Sequence, residues 1–282
     1  MGLAVNLLLS ALKFAGGILG NSQAVVADAV HSLSDCVTDI VVLVGVQVWT
    51  KPPDELHPHG HRRFETLITA FIGLMLAAAA MGLGWRALGA LHQGQPSQPG
   101  WIALLAAAVS LVSKEALYRW TAVTGKRVKS SALMANAWHH RSDALSSIPA
   151  FIAVGGALIS PSWGFLDHIG AVVVSLFILA AAWEIMKPAL AELSDTGASA
   201  RVCEQLTELA KAVAGVMEVH ALRTRYIGGG LQVDLHVLVD PQLTVQEGHA
   251  ITGAVKAKLL EYGPDVVDVL VHLEPYGEEH ED

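Results

Sequence analysis

Residues 27–35 read Ala27-Asp28-Ala29-Val30-His31-Ser32-Leu33-Ser34-Asp35, with Asp39 following, inside an otherwise apolar stretch over 24–49. A bilayer core takes about 20 apolar residues of helix. This stretch therefore predicts a transmembrane span that carries ionisable groups. Each such group costs roughly 2.5 kcal/mol or more unless it is paired, hydrated or bound to metal. His31 and Asp35 are four residues apart, so both project from one helix face, one turn apart. A second apolar stretch repeats the spacing: in Trp138-His139-His140-Arg141-Ser142-Asp143, His139 and Asp143 share a face. Two such faces brought together supply two imidazoles and two carboxylates, a closed tetrahedral set suited to zinc. Calcium and magnesium want more oxygens, and softer metals want thiolates. One His-x-x-x-Asp is weak evidence of metal binding, but two at membrane depth are strong. The competing reading is hydrogen bonding between helices. It suits His140, off the paired face, and Asp39, one turn further on, at least as well. Asp28 is a candidate outer partner that would orient a ligand.

Five more apolar stretches surround this one. The spans read 3–20, 24–49, 64–91, 101–123, 131–159 and 166–187, separated by polar or Gly/Pro-rich segments. The whole chain of 282 residues agrees, being 52% hydrophobic and only 16% charged, with a mean hydropathy of +0.46. Soluble domains carry about 25% charged residues, and the deficit excludes disorder, collagen and a disulfide scaffold. Cys36 and Cys203 fall in different parts of the chain and make no framework. Loop 2–3 holds Lys51, Arg62 and Arg63, loop 4–5 holds Lys126, Arg127 and Lys129, and Lys187 ends the sixth span. The other three loops hold no Lys or Arg. The positive-inside rule then puts both termini in the cytoplasm. The first span has no basic lead and is not a secretory signal. It starts almost at Met1, which suggests a chain that is truncated or starts late.

Charge divides the chain. Residues 1–194 hold 12 Lys/Arg against 11 Asp/Glu, whereas residues 195–282 hold 6 against 15, a balance of −9 within a net charge of −8. The expected organisation is a six-helix membrane bundle over 1–190 and a cytoplasmic α+β domain over 195–282. An acidic domain is a poor nucleic-acid binder and a candidate cation binder. In the tail, 199–213 has helical periodicity, 218–227 and 231–239 read as strands around Gly228-Gly229-Gly230, 244–262 as a helix and 266–273 as a strand. The order αββαβ implies helices packed on one sheet face. So small a domain has a small core, which dimerisation or metal would support.

Two further clusters carry metal-ligating chemistry. Asp54-Glu55-Leu56-His57-Pro58-His59-Gly60-His61 places three histidines beside acids in one short loop. In the tail, His220, His236, His249 and His272, with Glu274, are scattered over the predicted strands and helix. Their spacing alone does not separate a metal site from ordinary histidines.

With the two His-x-x-x-Asp spans, the loop cluster and Leu222-Arg223-Thr224-Arg225 after His220, the chain resembles the cation diffusion facilitator family, in particular its bacterial Zn2+/H+ antiporters. The resemblance covers essentially the whole chain. It implies a homodimer in a bacterial inner or plasma membrane, with a metallochaperone-like, or ferredoxin-like, cytoplasmic sandwich. His31, Asp35, His139 and Asp143 would form the transport site, and Asp54, His57 and His61 a loop site, with His59 a local extra. His220, His236, His249 and His272 would line a cytoplasmic site at the dimer contact. Glu274 stands where the bacterial pattern usually has Asp. Arg63, just after the loop site, would pair with Asp195, just after the last span, as an interlock. A His/Asp transport set goes with Zn2+, as substrate and as regulator. Related members carry Fe2+, Mn2+, Cd2+, Co2+ or Ni2+.

The ligands suggest a mechanism. Metal binding needs neutral imidazoles and ionised carboxylates, so it releases protons. An unperturbed imidazole titrates at about 6.5, close to physiological pH. An inward proton gradient would drive metal out if the site faced each side in turn. Gly16, Gly17, Gly73, Gly82 and Gly84 would let helices approach closely. An intramembrane metallohydrolase would need an open metal position and a motif such as His-Glu-x-x-His, which the sequence lacks. A metal sensor or scaffold without flux would use the same ligands, and a flux assay separates it from a carrier.

Overall fold

Lipid offers the backbone no hydrogen-bond partners, so apolar stretches of this length fold as helices. The computed structural model describes residues 2–95, 97–128 and 131–277; Lys129 of the basic loop lies outside them. The elements run α1 (Gly2–Leu19), α2 (Gln23–Trp49), α3 (Arg63–His92), α4 (Trp101–Arg127), α5 (Ser131–Ile159), a short 3-10 turn (Pro161–Trp163), α6 (Phe165–Leu193), α7 (Ala200–Lys211), β1 (Glu218–Ile227), β2 (Gly230–Val239), α8 (Val245–Tyr262) and β3 (Val266–Pro275). Five of the first six helices are long and apolar enough to cross a membrane, and α1 is a shorter apolar helix. Two compact units result: Met1–Val46 with Phe71–Met186, and Gln47–Ala70 with Lys187–Asp282.

The first unit has the inside-out pattern of a bundle solvated by lipid. Leu8, Leu43, Phe71, Trp85 and Val112 are exposed, while Lys13, Asp28, Lys114 and Asp143 are buried. Its core is mostly alanine: Ala24, Ala27, Ala80, Ala87, Ala150 and Ala153 pack around Val174 and Ile178. Small residues let backbones come close, which is how membrane helices gain contact without a hydrophobic drive. Only some of the named glycines serve this end. A Cβ at Gly16 would strike Ala106, and one at Gly73 would strike Met186, but nothing lies within 4 Å of one at Gly82. Helix α6 runs on to Leu193, past the expected end at 187. Ala189-Leu190-Ala191-Glu192-Leu193 are strong helix formers that need no lipid.

One end of this unit is tied by a carboxylate. Asp167, fully buried, accepts from Ser22 Oγ at 2.6 Å, Ser97 Oγ at 2.9 Å, and the backbone N–H of Gln23 at 2.9 Å and Ala24 at 3.3 Å. It caps the N-terminus of α2 from another helix, where negative charge is favoured. Loops 1–2 and 3–4 are thereby joined to the start of α6. The absence of Lys and Arg from the connecting loops gives no sign of this tie.

In the tail, β2 pairs antiparallel with β1 and parallel with β3, in the order β1-β2-β3. Gly228 and Gly229 both have positive φ, which suits a tight hairpin turn that disfavours side chains. The β2–α8–β3 crossover makes the second pairing parallel. Val233, Leu235 and Val237 alternate inward against Leu206 and Ala210 of α7 and Val255 and Leu259 of α8. Gln232, Asp234 and His236 therefore point to the other sheet face. This is the αββαβ arrangement expected from the sequence.

Candidate metal sites

Helix periodicity places His31 and Asp35 on one face of α2, and α5 brings Asp143 to meet them. One ligand atom from each of the three lies within 4.8 Å of the others. His139 stands at the rim, its Nε2 3.9 Å from Asp143 Oδ2 and its side chain 58% exposed. The structure thus gathers one imidazole and two carboxylates, with the second imidazole alongside. The cavity lining continues through Thr38, Asp39, Ser142, Phe177 and Glu184. It runs toward the C-terminal ends of α2 and α6 and the N-terminal end of α5. His140 is buried on α5 outside the cluster.

Two lysines that the sequence reading passed over sit in this unit. Lys114 of α4 is 0% exposed, with Nζ 3.2 Å from Asp143 Oδ2 and 3.8 Å from Asp35 Oδ2. Lys13 of α1, also fully buried, lies 2.7 Å from Asp28 Oδ2 and donates to Ser32 Oγ and Ser147 Oγ, each at 2.9 Å. Ser147 Oγ in turn donates to Asp28 Oδ1 at 2.9 Å. Asp28 is therefore the counter-ion of Lys13, in place of the outer-ligand role suggested by its position near His31. A lone lysine inside an apolar span is as costly as an aspartate, and that was the available signal for both.

The loop cluster closes on itself. Asp54 Oδ1 accepts the backbone N–H of His57 at 2.7 Å and of Leu56 at 3.0 Å, and Asp54 Oδ2 lies 3.2 Å from His61 Nε2. The His57 N–H, with the His57 and His61 rings beside it, holds the Asp54 carboxyl below the usual carboxylate range. Asp54, His57 and His61 offer ligand atoms within 4.8 Å of one another. His61 also stacks on Phe64. His59 is exposed and apart.

In the tail, strand register does what spacing could not reveal. His220 pairs with His236, and His236 with His272, so three imidazoles form one row across the sheet. Glu274, two residues beyond His272 on the same face, is the hub: its carboxylate lies 2.8 Å from His220 Nε2, 2.8 Å from His236 Nδ1 and 3.3 Å from His272 Nε2. His220, His236 and Glu274 offer ligand atoms within 4.8 Å of one another, with His272 beside Glu274, and imidazoles with a carboxylate are a zinc-type donor set. His249 is exposed on α8 and does not join the row.

Arg63 Nη2 donates to Asp195 Oδ1 at 2.9 Å, with side chains 38% and 54% exposed. A pair this exposed contributes about 0–1 kcal/mol. Glu192, not singled out from sequence, is more firmly held in the same unit. Its Oε1 accepts the Thr66 hydroxyl and, at 2.5 Å, the backbone N–H of Gly228. It joins the start of α3, the end of α6 and the β1–β2 turn. A double-mutant cycle on transport rate with Arg63→Ala and Asp195→Ala should return a coupling below about 1 kcal/mol. Glu192→Ala should cost more than either single change. Strictly additive losses would show that Arg63 and Asp195 act independently.

Residues 1–194 match the cation efflux transmembrane domain, and residues 199–276 match the cytoplasmic domain of cation efflux proteins. Over 98% of its length the chain is 36% identical to Metal tolerance protein C1 of Arabidopsis thaliana, and it spans 61% of that protein. It is 33% identical, again over 98% of its length, to the manganese efflux system protein MneP of Bacillus subtilis, of which it spans 95%. The magnetosome protein MamB of a Magnetospira strain is 31% identical over 92% of the chain and 88% of its own length. The family consists of transporters rather than enzymes, and with both domains matched along nearly its whole length, this chain belongs to the cation efflux, or cation diffusion facilitator, family of membrane metal transporters.

Proposed function

We propose that the chain exports divalent metal from the cytoplasm in exchange for protons, by alternating access, with zinc the preferred cargo. The observation that carries this reading is the convergence of His31, Asp35 and Asp143 from two helices at a cavity inside the bundle. Both termini face the cytoplasm, an orientation that the basic loops support. The cavity lining runs toward that same side, so cytoplasmic metal reaches the carboxylates and meets His139 at the rim. Metal displaces protons from the ligands on entry, and protonation from the other side releases it. The test is flux in proteoliposomes with an imposed pH gradient. Zinc accumulation that follows the gradient supports the reading, and binding without flux would make the chain a sensor.

A second reading is manganese export. Two of the three gathered ligands are carboxylates, and harder oxygen donors suit manganese. A relative matched over nearly all its length bears the name manganese efflux system protein. Competition between Zn2+ and Mn2+ in the same vesicles decides, since the preferred cargo suppresses uptake of the other.

The tails of a homodimer are read as metal reporters. Their −9 balance pushes two copies apart, and zinc at the His220, His236, His272 and Glu274 cluster offsets it. Distances between spin labels on the two tails should shorten with zinc. A confirmed dimer without that shortening would overturn the idea.

A further inference from the structure

The two buried lysines are held in different ways. The ammonium of Lys13 is fully engaged, by one carboxylate and two hydroxyls at 2.7–2.9 Å. Lys114 makes no well-formed hydrogen bond, and it leans on Asp143 Oδ2 at 3.2 Å and Asp35 Oδ2 at 3.8 Å. Those two oxygens are buried and likewise accept no hydrogen bond. Among the described residues, the carboxylates within 4 Å of Lys114 Nζ belong to Asp35 and Asp143 alone. A positive charge thus rests loosely on the two acids that face the cavity.

We propose that Lys114 is a tethered cation which stands in the transport site of the metal-free carrier and which incoming metal must displace. This rests on the transport-site reading above. A zinc ion bound by these oxygens would lie about 2.0–2.2 Å from each, too close to an ammonium at its present position for two cations to share the site without strong repulsion. Four methylenes let the ammonium withdraw along the bundle interior. When metal leaves, Lys114 returns to Asp35 and Asp143, and the protons taken up by the site supply the rest of the lost positive charge. The metal-free, proton-loaded carrier can then change conformation. The lysine also weakens metal binding, and a carrier needs binding weak enough to release. Lys114 is thus a positioning and affinity-setting residue rather than a ligand.

The test compares Lys114→Gln and Lys114→Arg in proteoliposome zinc flux, each checked for a monodisperse folded peak. Removing the charge should lower KM about tenfold or more while lowering the maximal rate. Arginine, permanently charged and forked to match carboxylates, should hold both acids and raise KM about tenfold or more. A counter-ion with a merely structural role predicts the reverse, with arginine restoring wild-type kinetics. Wild-type KM in Lys114→Arg overturns the proposal, as does an unchanged or raised KM in Lys114→Gln. If Lys114→Gln does not fold, the arginine variant alone decides. Asp143→Ala in the same assay keeps the two readings apart. If it transports normally, the transport-site reading fails. If it is dead while the Lys114 variants match wild type, only the lysine proposal fails.

Discussion

Asp143→Ala is expected to abolish zinc flux, by more than about 100-fold, in a protein that still folds. Even the outer partners of a metal ligand contribute about 10–100-fold in affinity, and Asp143 converges with His31 and Asp35 as a candidate ligand. Its side chain is also nearer to Lys114 than that of Asp35. On the proposed function, the change therefore removes a ligand and loosens the charge balance around those that remain. His31→Ala and Asp35→Ala should behave alike. His139→Ala should be milder, because His139 is exposed at the rim and its one contact with the set is at 3.9 Å. Proteoliposome flux, with circular dichroism to confirm folding, measures all four. Near-wild-type flux in a folded Asp143→Ala protein would remove the residue from the site, and a loss at His139 as complete as at Asp143 would show that the imidazole moves in to bind.

The second large effect concerns stability. Asp28→Ala leaves the Lys13 ammonium buried among hydroxyls with no counter-charge. Breaking a buried ion pair by removing one partner costs about 3–5 kcal/mol, whereas replacing both with apolar groups is often close to neutral. Asp28→Ala should therefore lower the yield of folded protein and its Tm sharply. The double variant Lys13→Met/Asp28→Leu should recover most of the loss. Thermal unfolding in detergent checks both. A double variant no more stable than the single would show that Asp28 matters for something other than Lys13. Lowered metal affinity at unchanged Tm would return Asp28 to the ligand shell.

Local patterns carried most of the fold. Apolar length marks the helices because lipid permits the backbone no other form, and the two-residue alternation of β2 marks its buried face. His31 with Asp35, and Asp54 with His57 and His61, are legible because their partners lie within a turn or a loop. The features that stayed hidden depend on partners far along the chain. Lys13 and Lys114 acquire meaning only once α1, α2, α4 and α5 are side by side. The tail row needs strand register to align His220, His236 and His272, and that register also brings Glu274 among them. Glu192 reads as an ordinary charge near a helix end until the β1–β2 turn meets it.

The buried carboxylate of Asp167 has a practical consequence. The short connectors around Ser22 and Ser97 look like convenient places to insert epitope tags or reporter fusions, since exposed loop tips usually tolerate insertion. Tolerance follows burial and hydrogen bonding of the affected backbone, not position between two helices. Ser22, Ser97 and Asp167 are all buried, and both serines donate to the Asp167 carboxylate. A tag placed there cuts into the core of the bundle, and a topology map built from such fusions would report a protein that had already come apart at that end.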